Sequence, residues 1–296
     1  MMSMDPIAYF PGCSLKDSAR PFELSALAVM EALGLPLIEL PRWTCCGTVA
    51  SLATDDLMHH VSSVRNLVRT QETGGKELVA LCSMCFNTLK QVARRVNGNA
   101  DARDKINAFM NEEEDYEGGI DVLHLLELLR DRVGWDAVAD RVNRPLFDVP
   151  VSAYYGCTLV RPKGVGIDGS DAPSVLGGLL EALGASVIAT PFDTECCGSY
   201  QIVDRRDLAM DRALRIVLAA KTRGAEAIVT SCPLCQYNLE QAAGEFGEEA
   251  LNGAAPAVIY FTELMAIALG LEQVKVPARL RPVLDAHRLG ATEGAT

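Results

Sequence analysis

The sequence predicts an α/β protein built as two tandem, pseudo-symmetric α/β domains with mostly parallel sheets, with metal clusters at the C-terminal ends of the strands. Three observations carry that expectation. All ten cysteines of the 296-residue chain fall into one pattern written twice. The residues around them repeat with the same phase. Within each copy, apolar strand-like runs alternate with helical patterns, which is how a parallel sheet covered by helices reads in sequence.

The first cysteine set is Cys13, Cys45-Cys46-Gly47 and Cys82-Ser83-Met84-Cys85, with 31 and 35 residues between its parts. The second is Cys157, Cys196-Cys197-Gly198 and Cys232-Pro233-Leu234-Cys235, with 38 and 34. The match extends beyond the thiols: 7–13 answers to 151–157, 28–34 to 178–184, 78–82 to 228–232 and 122–129 to 258–265. A repeated unit of about 130 residues is an ordinary domain size. The expected division is 1–145, 146–275 and a tail, 276–296, with 141–150 as the link.

Taken in order, the first copy predicts strand 6–11, helix 21–33, strand 36–40, helix 55–72, strand 77–81 and helix 84–96. The second predicts strand 151–155, helix 173–183, strand 186–190, helix 205–222, strand 227–231 and helix 234–244. Gly34 and Gly184 stand where a helix ends in the left-handed conformation. Residues 97–119 interrupt the first copy, and the acidic, glycine-ended stretch 111–119 reads as a solvated loop. The Leu- and Met-rich stripes at 122–129 and 258–269 read as core. The segment after 275 reads as a loosely held tail or a contact for a partner.

These elements gather the thiols. The first cysteine and the Cys-x-x-Cys pair of each copy follow a strand directly, and the Cys-Cys-Gly turn lies just past another. Ligands of open parallel sheets sit beyond the strand C-termini, so five thiols of one copy meet at one end of one sheet. The second cysteine of each Cys-x-x-Cys opens a helix, whose positive end favours the thiolate.

Composition narrows the chemistry. With 49% apolar residues the chain is globular. A net charge of −12 argues against nucleic acid and anionic membrane surfaces as partners and reads as solubility or as a match for a basic partner subunit. No apolar stretch approaches a membrane span, and MMSMDPIAYF carries no signal-peptide pattern, so a cytoplasmic protein with reduced thiols is expected. Grouped thiolates select iron–sulfur clusters, zinc or copper(I). Zinc closes with four ligands; a fifth, adjacent thiolate suits neighbouring irons of a cluster. Zinc in one half stays open as the alternative. Gly47 and Gly198 would let backbone approach inorganic sulfide.

The double pattern resembles the cysteine-rich CCG-domain family, and more closely the B-type subunits of heterodisulfide reductases. The resemblance spans residues 6–272 and includes 155–162 (YGCTLVRP) and 122–129 (VLHLLELL). It implies two noncubane [4Fe-4S] clusters. One would be held by Cys13, Cys45, Cys46, Cys82 and Cys85. The other would be held by Cys157, Cys196, Cys197, Cys232 and Cys235. It further implies a shared cavity in which a small disulfide or thiol is processed by one-electron steps. The chain has no ferredoxin-type cysteine run and no Gly-x-Gly-x-x-Gly fingerprint. Electrons would therefore come from a C-type subunit with cubane iron–sulfur clusters and an A-type flavoprotein. Thr158 stands where methanogen members commonly have His, and Ser199-Tyr200-Gln201 where they have a glycine-rich stretch. The implied ligand set survives these departures, whereas the coenzyme M–coenzyme B disulfide is not implied.

Substrate contacts are expected at Lys16, Thr158, Arg161 and Gln201, with Lys163 and the loop 164–171 as further anion-binding candidates. Adjacent His59 and His60 do not share a helix face and are not a metal pair. His124 reads as a packed histidine, and Trp43 as packing or a shield before the Cys-Cys turn. Two other functions stay open: an electron-transfer subunit of a lactate, glycolate or succinate oxidoreductase complex, and a structural zinc module.

Overall fold

The computed structural model describes residues 6–48, 57–146, 149–169, 171–251, 253–276, 278 and 280–292. Among them are two four-stranded sheets, every pairing parallel. The first contains β1 (Ile7–Phe10), β2 (Leu37–Glu39), β3 (Glu77–Ala80) and β4 (Asp121–His124), in the order β2-β1-β3-β4. The second contains β5 (Pro150–Ala153), β6 (Ser186–Val187), β7 (Ala227–Thr230) and β8 (Ala257–Tyr260), in the order β6-β5-β7-β8. The two orders are the same, as duplication requires. Register is equivalent too: Ala80 lies opposite His124, and Thr230 opposite Tyr260.

The helices form where the pattern places them: Arg20–Ala32, Ser83–Gly98, Val175–Ala182, Arg206–Thr222 and Pro233–Leu251, the last broken at Gly247. Of the helix expected at 55–72, residues 55 and 56 lie outside the described residues. A tight turn at Leu57–His60 leads into helix Val61–Glu72.

The structure adds to three expectations. First, the stripes at 122–129 and 258–269 are core, as expected, and each is also a fourth strand running straight into a helix, Leu125–Leu128 or Phe261–Ala268. No Gly or Pro marks the change. Instead a glutamate reaches back to the strand end: the Glu127 carboxylate accepts from the His124 backbone N–H at 2.9 Å, and Glu263 from that of Tyr260 at 3.1 Å. Second, the interruption 97–119 contains helix Ala100–Phe109, started by the Asn99 side chain accepting from the Ala102 N–H. The acidic stretch after it is mostly exposed, but buried Tyr116 pins it by donating to Asn97 Oδ1 at 2.9 Å. Third, the tail holds a helix, Arg281–Thr292, with Leu280 and Leu284 buried. The four-residue spacing puts both leucines on one face.

One continuous apolar core runs through both copies. Helix Arg20–Ala32 of the first packs on helix Phe261–Ala268 of the second. Phe22 stacks on Tyr260 at 4.3 Å and meets the edge of Phe261 at 5.7 Å, while Ser25 Oγ and Thr262 Oγ1 hydrogen-bond at 2.6 Å. Each half therefore completes the other's core rather than closing its own.

His124 ends β4 fully buried, its Nδ1 accepting from the Leu126 N–H at 3.1 Å. Burial disfavours the imidazolium and pushes its pKa down to about 3. The unfolded chain takes up this proton near pH 6.5 and the folded chain resists until about pH 3. His124 therefore costs no stability above pH 6.5, and stability falls as pH drops from there toward 3. Asn at this position keeps an acceptor for the helix start. His124→Asn should flatten the pH dependence of the urea midpoint between pH 6.5 and 4; an unchanged slope would disprove the assignment.

Candidate metal centre

Both Cys-x-x-Cys segments occupy the turn from a sheet's inner strand, β3 or β7, into the following helix. Cys82 has extended backbone and Ser83 begins helix Ser83–Gly98. Pro233 likewise follows Cys232 as the first residue of its helix, where its missing N–H costs nothing. The two turns meet. Ser83 Oγ and Ser231 Oγ are 2.5 Å apart, and the Ser83 N–H donates to the Ser231 carbonyl at 3.2 Å.

The thiols form one uninterrupted line across this seam. Cys13 contacts Cys45, which contacts Cys46. Cys46 Sγ lies 3.5 Å from Cys85 Sγ, Cys85 adjoins Cys82, and Cys82 adjoins Cys232. Beyond the seam the line continues from Cys232 to Cys235, then to Cys197 at 3.5 Å, to Cys196 and to Cys157. The centre of the line is buried at Cys82, Cys85, Cys232 and Cys235. Its first end is exposed at Cys13 and Cys45, and its second is half-buried at Cys157 and Cys196.

Thiols donating to one another hold particular members as thiolates. Cys45 and then Cys85 lower the pKa of Cys46 to about 4. Cys157 and then Cys197 lower that of Cys196 to about 2. Cys232 and then Cys85 hold Cys82 well below the usual thiol range. The donors take the converse shift: Cys196 pushes Cys197 up to about 11. Thiolate is the metal-binding form.

The turns are fixed by side chains from neighbouring helices. Asn66 accepts from the Thr44 N–H and donates to the Thr44 carbonyl, both at 2.9 Å, and Ser63 Oγ donates to the Cys46 carbonyl at 2.6 Å. In the second copy Asn238 donates to the carbonyls of Cys197 and Ser199. The glycine after each Cys-Cys pair has a reason other than room for sulfide. Gly47 and Gly198 have φ of +79° and +97°. A Cβ at Gly47 would lie 2.8 Å from Ser62 Oγ, and one at Gly198 would lie 2.5 Å from Ala209 Cα. The turn is pressed against a helix in both copies.

Two glycines missed in sequence reading touch the thiols themselves. A Cβ at Gly12 would stand 3.1 Å from Cys85 Sγ, and one at Gly156 would stand 3.4 Å from Cys235 Sγ, both at positive φ. The Gly-Cys pair recurs in both copies at 12–13 and 156–157, and that repetition was the available signal.

Five thiols per half, several favoured as thiolates and packed against glycine backbone, suit a sulfur-ligated metal group. Among the described residues no three His, Cys, Asp or Glu side chains converge on a single ion position.

Comparison with known families decides the relationship. The family described as a cysteine-rich domain, CCG, matches at residues 7–90 and again at 151–240. The chain belongs to the CCG family. This CCG protein is 30% identical to the 8-methylmenaquinol:fumarate reductase membrane anchor subunit of Wolinella succinogenes, over 96% of this chain and 98% of that one. It is 22% identical to the B-type subunit of the ferredoxin/F(420)H(2)-dependent CoB-CoM heterodisulfide reductase of Methanosarcina acetivorans, over 90% of each. In fold it resembles the crystal structure of a hypothetical protein from Helicobacter pylori, with a TM-score of 0.71 at 12% identity. That match covers 95% of this chain and half of the Helicobacter chain. Among the described residues no helix is long and apolar enough to cross a membrane.

Three of the four expected substrate residues of this CCG protein are engaged by protein partners. The Lys16 ammonium is engaged by two carboxylates, Glu23 at 2.6 Å and Glu39 at 2.5 Å, which neutralises it as an anion binder. Arg161 donates to the Thr194 carbonyl at 2.6 Å. The carbonyls of Thr158 and Arg161 both accept from Asn87, so this loop of the second copy is held by a helix of the first. Gln201 opens the short helix Gln201–Asp204 beyond the second Cys-Cys-Gly turn. Trp43 meets the edge of Phe10 at 5.8 Å and donates to Glu39. A cavity of about 390 Å³ lies against Cys196 and contains none of the four expected residues.

Proposed function

We propose that this chain is the catalytic subunit of a cytoplasmic heterodisulfide reductase-like complex, reducing or forming a disulfide at two [4Fe-4S] clusters of the noncubane type. The continuous line of ten thiols across the seam is the observation that carries this reading. Cys13, Cys45, Cys46, Cys82 and Cys85 would hold one cluster, and Cys157, Cys196, Cys197, Cys232 and Cys235 the other. When bound, each cluster supplies or accepts one electron.

Reduction of a disulfide breaks one S–S bond and consumes two electrons and two protons, giving two thiols. Two adjoining groups answer the electron count within one chain. The protein's own part is positional. Asn66, Ser63 and Asn238 fix the Cys-Cys turns, Gly12 and Gly156 close over the inner thiols, and the paired serines at 83 and 231 hold the groups together. The electrons would arrive through a C-type subunit with cubane clusters and an A-type flavoprotein, as this chain carries neither signature.

A second reading has its own support: the Wolinella relative is a fumarate reductase subunit and matches over nearly the whole chain. On that reading the same groups relay electrons and turn over no disulfide. Anaerobic purification, metal and sulfide analysis, and EPR of the oxidised, thiol-treated protein separate the two. About eight irons with a thiol-dependent paramagnetic signal is the result expected for a disulfide-active subunit. The same iron content with a spectrum indifferent to thiols would select the relay, and about four irons with one zinc would leave a single cluster and overturn the disulfide-active pair.

A further inference from the structure

The cavity against Cys196 is lined by Phe192, Leu208 and Ile216, by Arg212 and Arg215, and by the carboxylates Glu195 and Asp211. Its volume of about 390 Å³ suits a small organic molecule. Of the second copy's five cysteines only Cys196 lines it. It is therefore not the space enclosed by those thiols but a cup outside them, reaching the line of sulfurs at one member.

The two arginines differ in availability. Arg215 is paired with Asp211 at 2.8 Å. Arg212 is exposed and, among the described residues, has neither a hydrogen bond nor an ion pair, while its charge acts on Cys196. Arg212 thus stands unpaired beside a cup whose apolar walls end at a cysteine.

We propose that this cup binds a small thiol or disulfide bearing a carboxylate, with Arg212 holding the carboxylate, the apolar walls its methylenes, and its sulfur directed toward Cys196. The guanidinium fork matches a carboxylate in two parallel hydrogen bonds, which a neutral amide cannot reproduce. The assignment of sulfur chemistry to the site rests on the disulfide reading above; the carboxylate recognition does not.

The test uses the cluster-loaded protein with 3-mercaptopropionate and its neutral counterpart 3-mercaptopropionamide. Binding is read by calorimetry, which registers a ligand whether or not the clusters respond, and EPR is recorded in parallel. The wild type should bind the carboxylate about tenfold more tightly than the amide. Arg212→Gln should abolish that preference at unchanged iron content. Equal binding of both probes by the wild type, or a preference that survives Arg212→Gln, overturns the site even where EPR responds to thiol. A carboxylate preference lost in Arg212→Gln with EPR unmoved supports the site and removes the disulfide chemistry instead.

Discussion

Cys46→Ser should cost the protein the iron of its first half and leave that of its second, so that total iron falls by about half. Cys197→Ser should do the mirror image. Serine preserves the size of the side chain but not its chemistry, because an alcohol does not ionise in the range where Cys46 is already a thiolate. Cys46 also sits mid-line, 3.5 Å from Cys85, so its loss opens the first group at its centre. Disulfide turnover that needs both halves should then drop by about a thousandfold or more in either variant, since one remaining group cannot supply two electrons at once. Iron per chain, measured beside turnover, distinguishes the possibilities. Full iron in Cys46→Ser would sink the five-thiol assignment, and full turnover at half iron would sink the pairing of the two groups.

Gly198→Ala should be the most damaging conservative change outside the cysteines. Two costs add. A φ of +97° is hostile to any side chain, worth about 1–2 kcal/mol. The new methyl would also press on backbone, 2.5 Å from Ala209 Cα, so helix Arg206–Thr222 must move, at about 1–3 kcal/mol. The sum is about 2–5 kcal/mol, enough to displace the Cys196-Cys197 turn. Gly47→Ala makes a useful contrast, since its nearest obstacle is the Ser62 hydroxyl, which can rotate away; its cost should stay near the strain of about 1–2 kcal/mol. Chemical denaturation of the two variants checks the ordering. Equal losses would show that the helix does not bear on the turn.

The parts of this molecule legible in sequence are those written twice. The cysteine positions and six of the eight strands follow from repetition, because a second copy confirms what one copy only hints. The two fourth strands were not legible, since β4 and β8 pass into helices through a glutamate-held turn without Gly or Pro. Lys16 looked like a cation near a cysteine, but its two carboxylate partners lie 7 and 23 residues away in the chain, at Glu23 and Glu39, and only the fold shows that they close on it. Arg212 was invisible for the opposite reason: nothing near it in sequence marks it, and only the fold places it beside Cys196.

The serine contact at 83 and 231 has an evolutionary consequence. A lone ancestral unit would have presented its Cys-x-x-Cys turn to an identical turn on a second molecule, the self-complementary arrangement of a two-fold homodimer. Joining the units in one gene fixed their ratio and freed each side from mirroring the other. One flank could then gain the insertion at 97–119 that the opposite flank lacks, an asymmetry that no pair of identical subunits can encode.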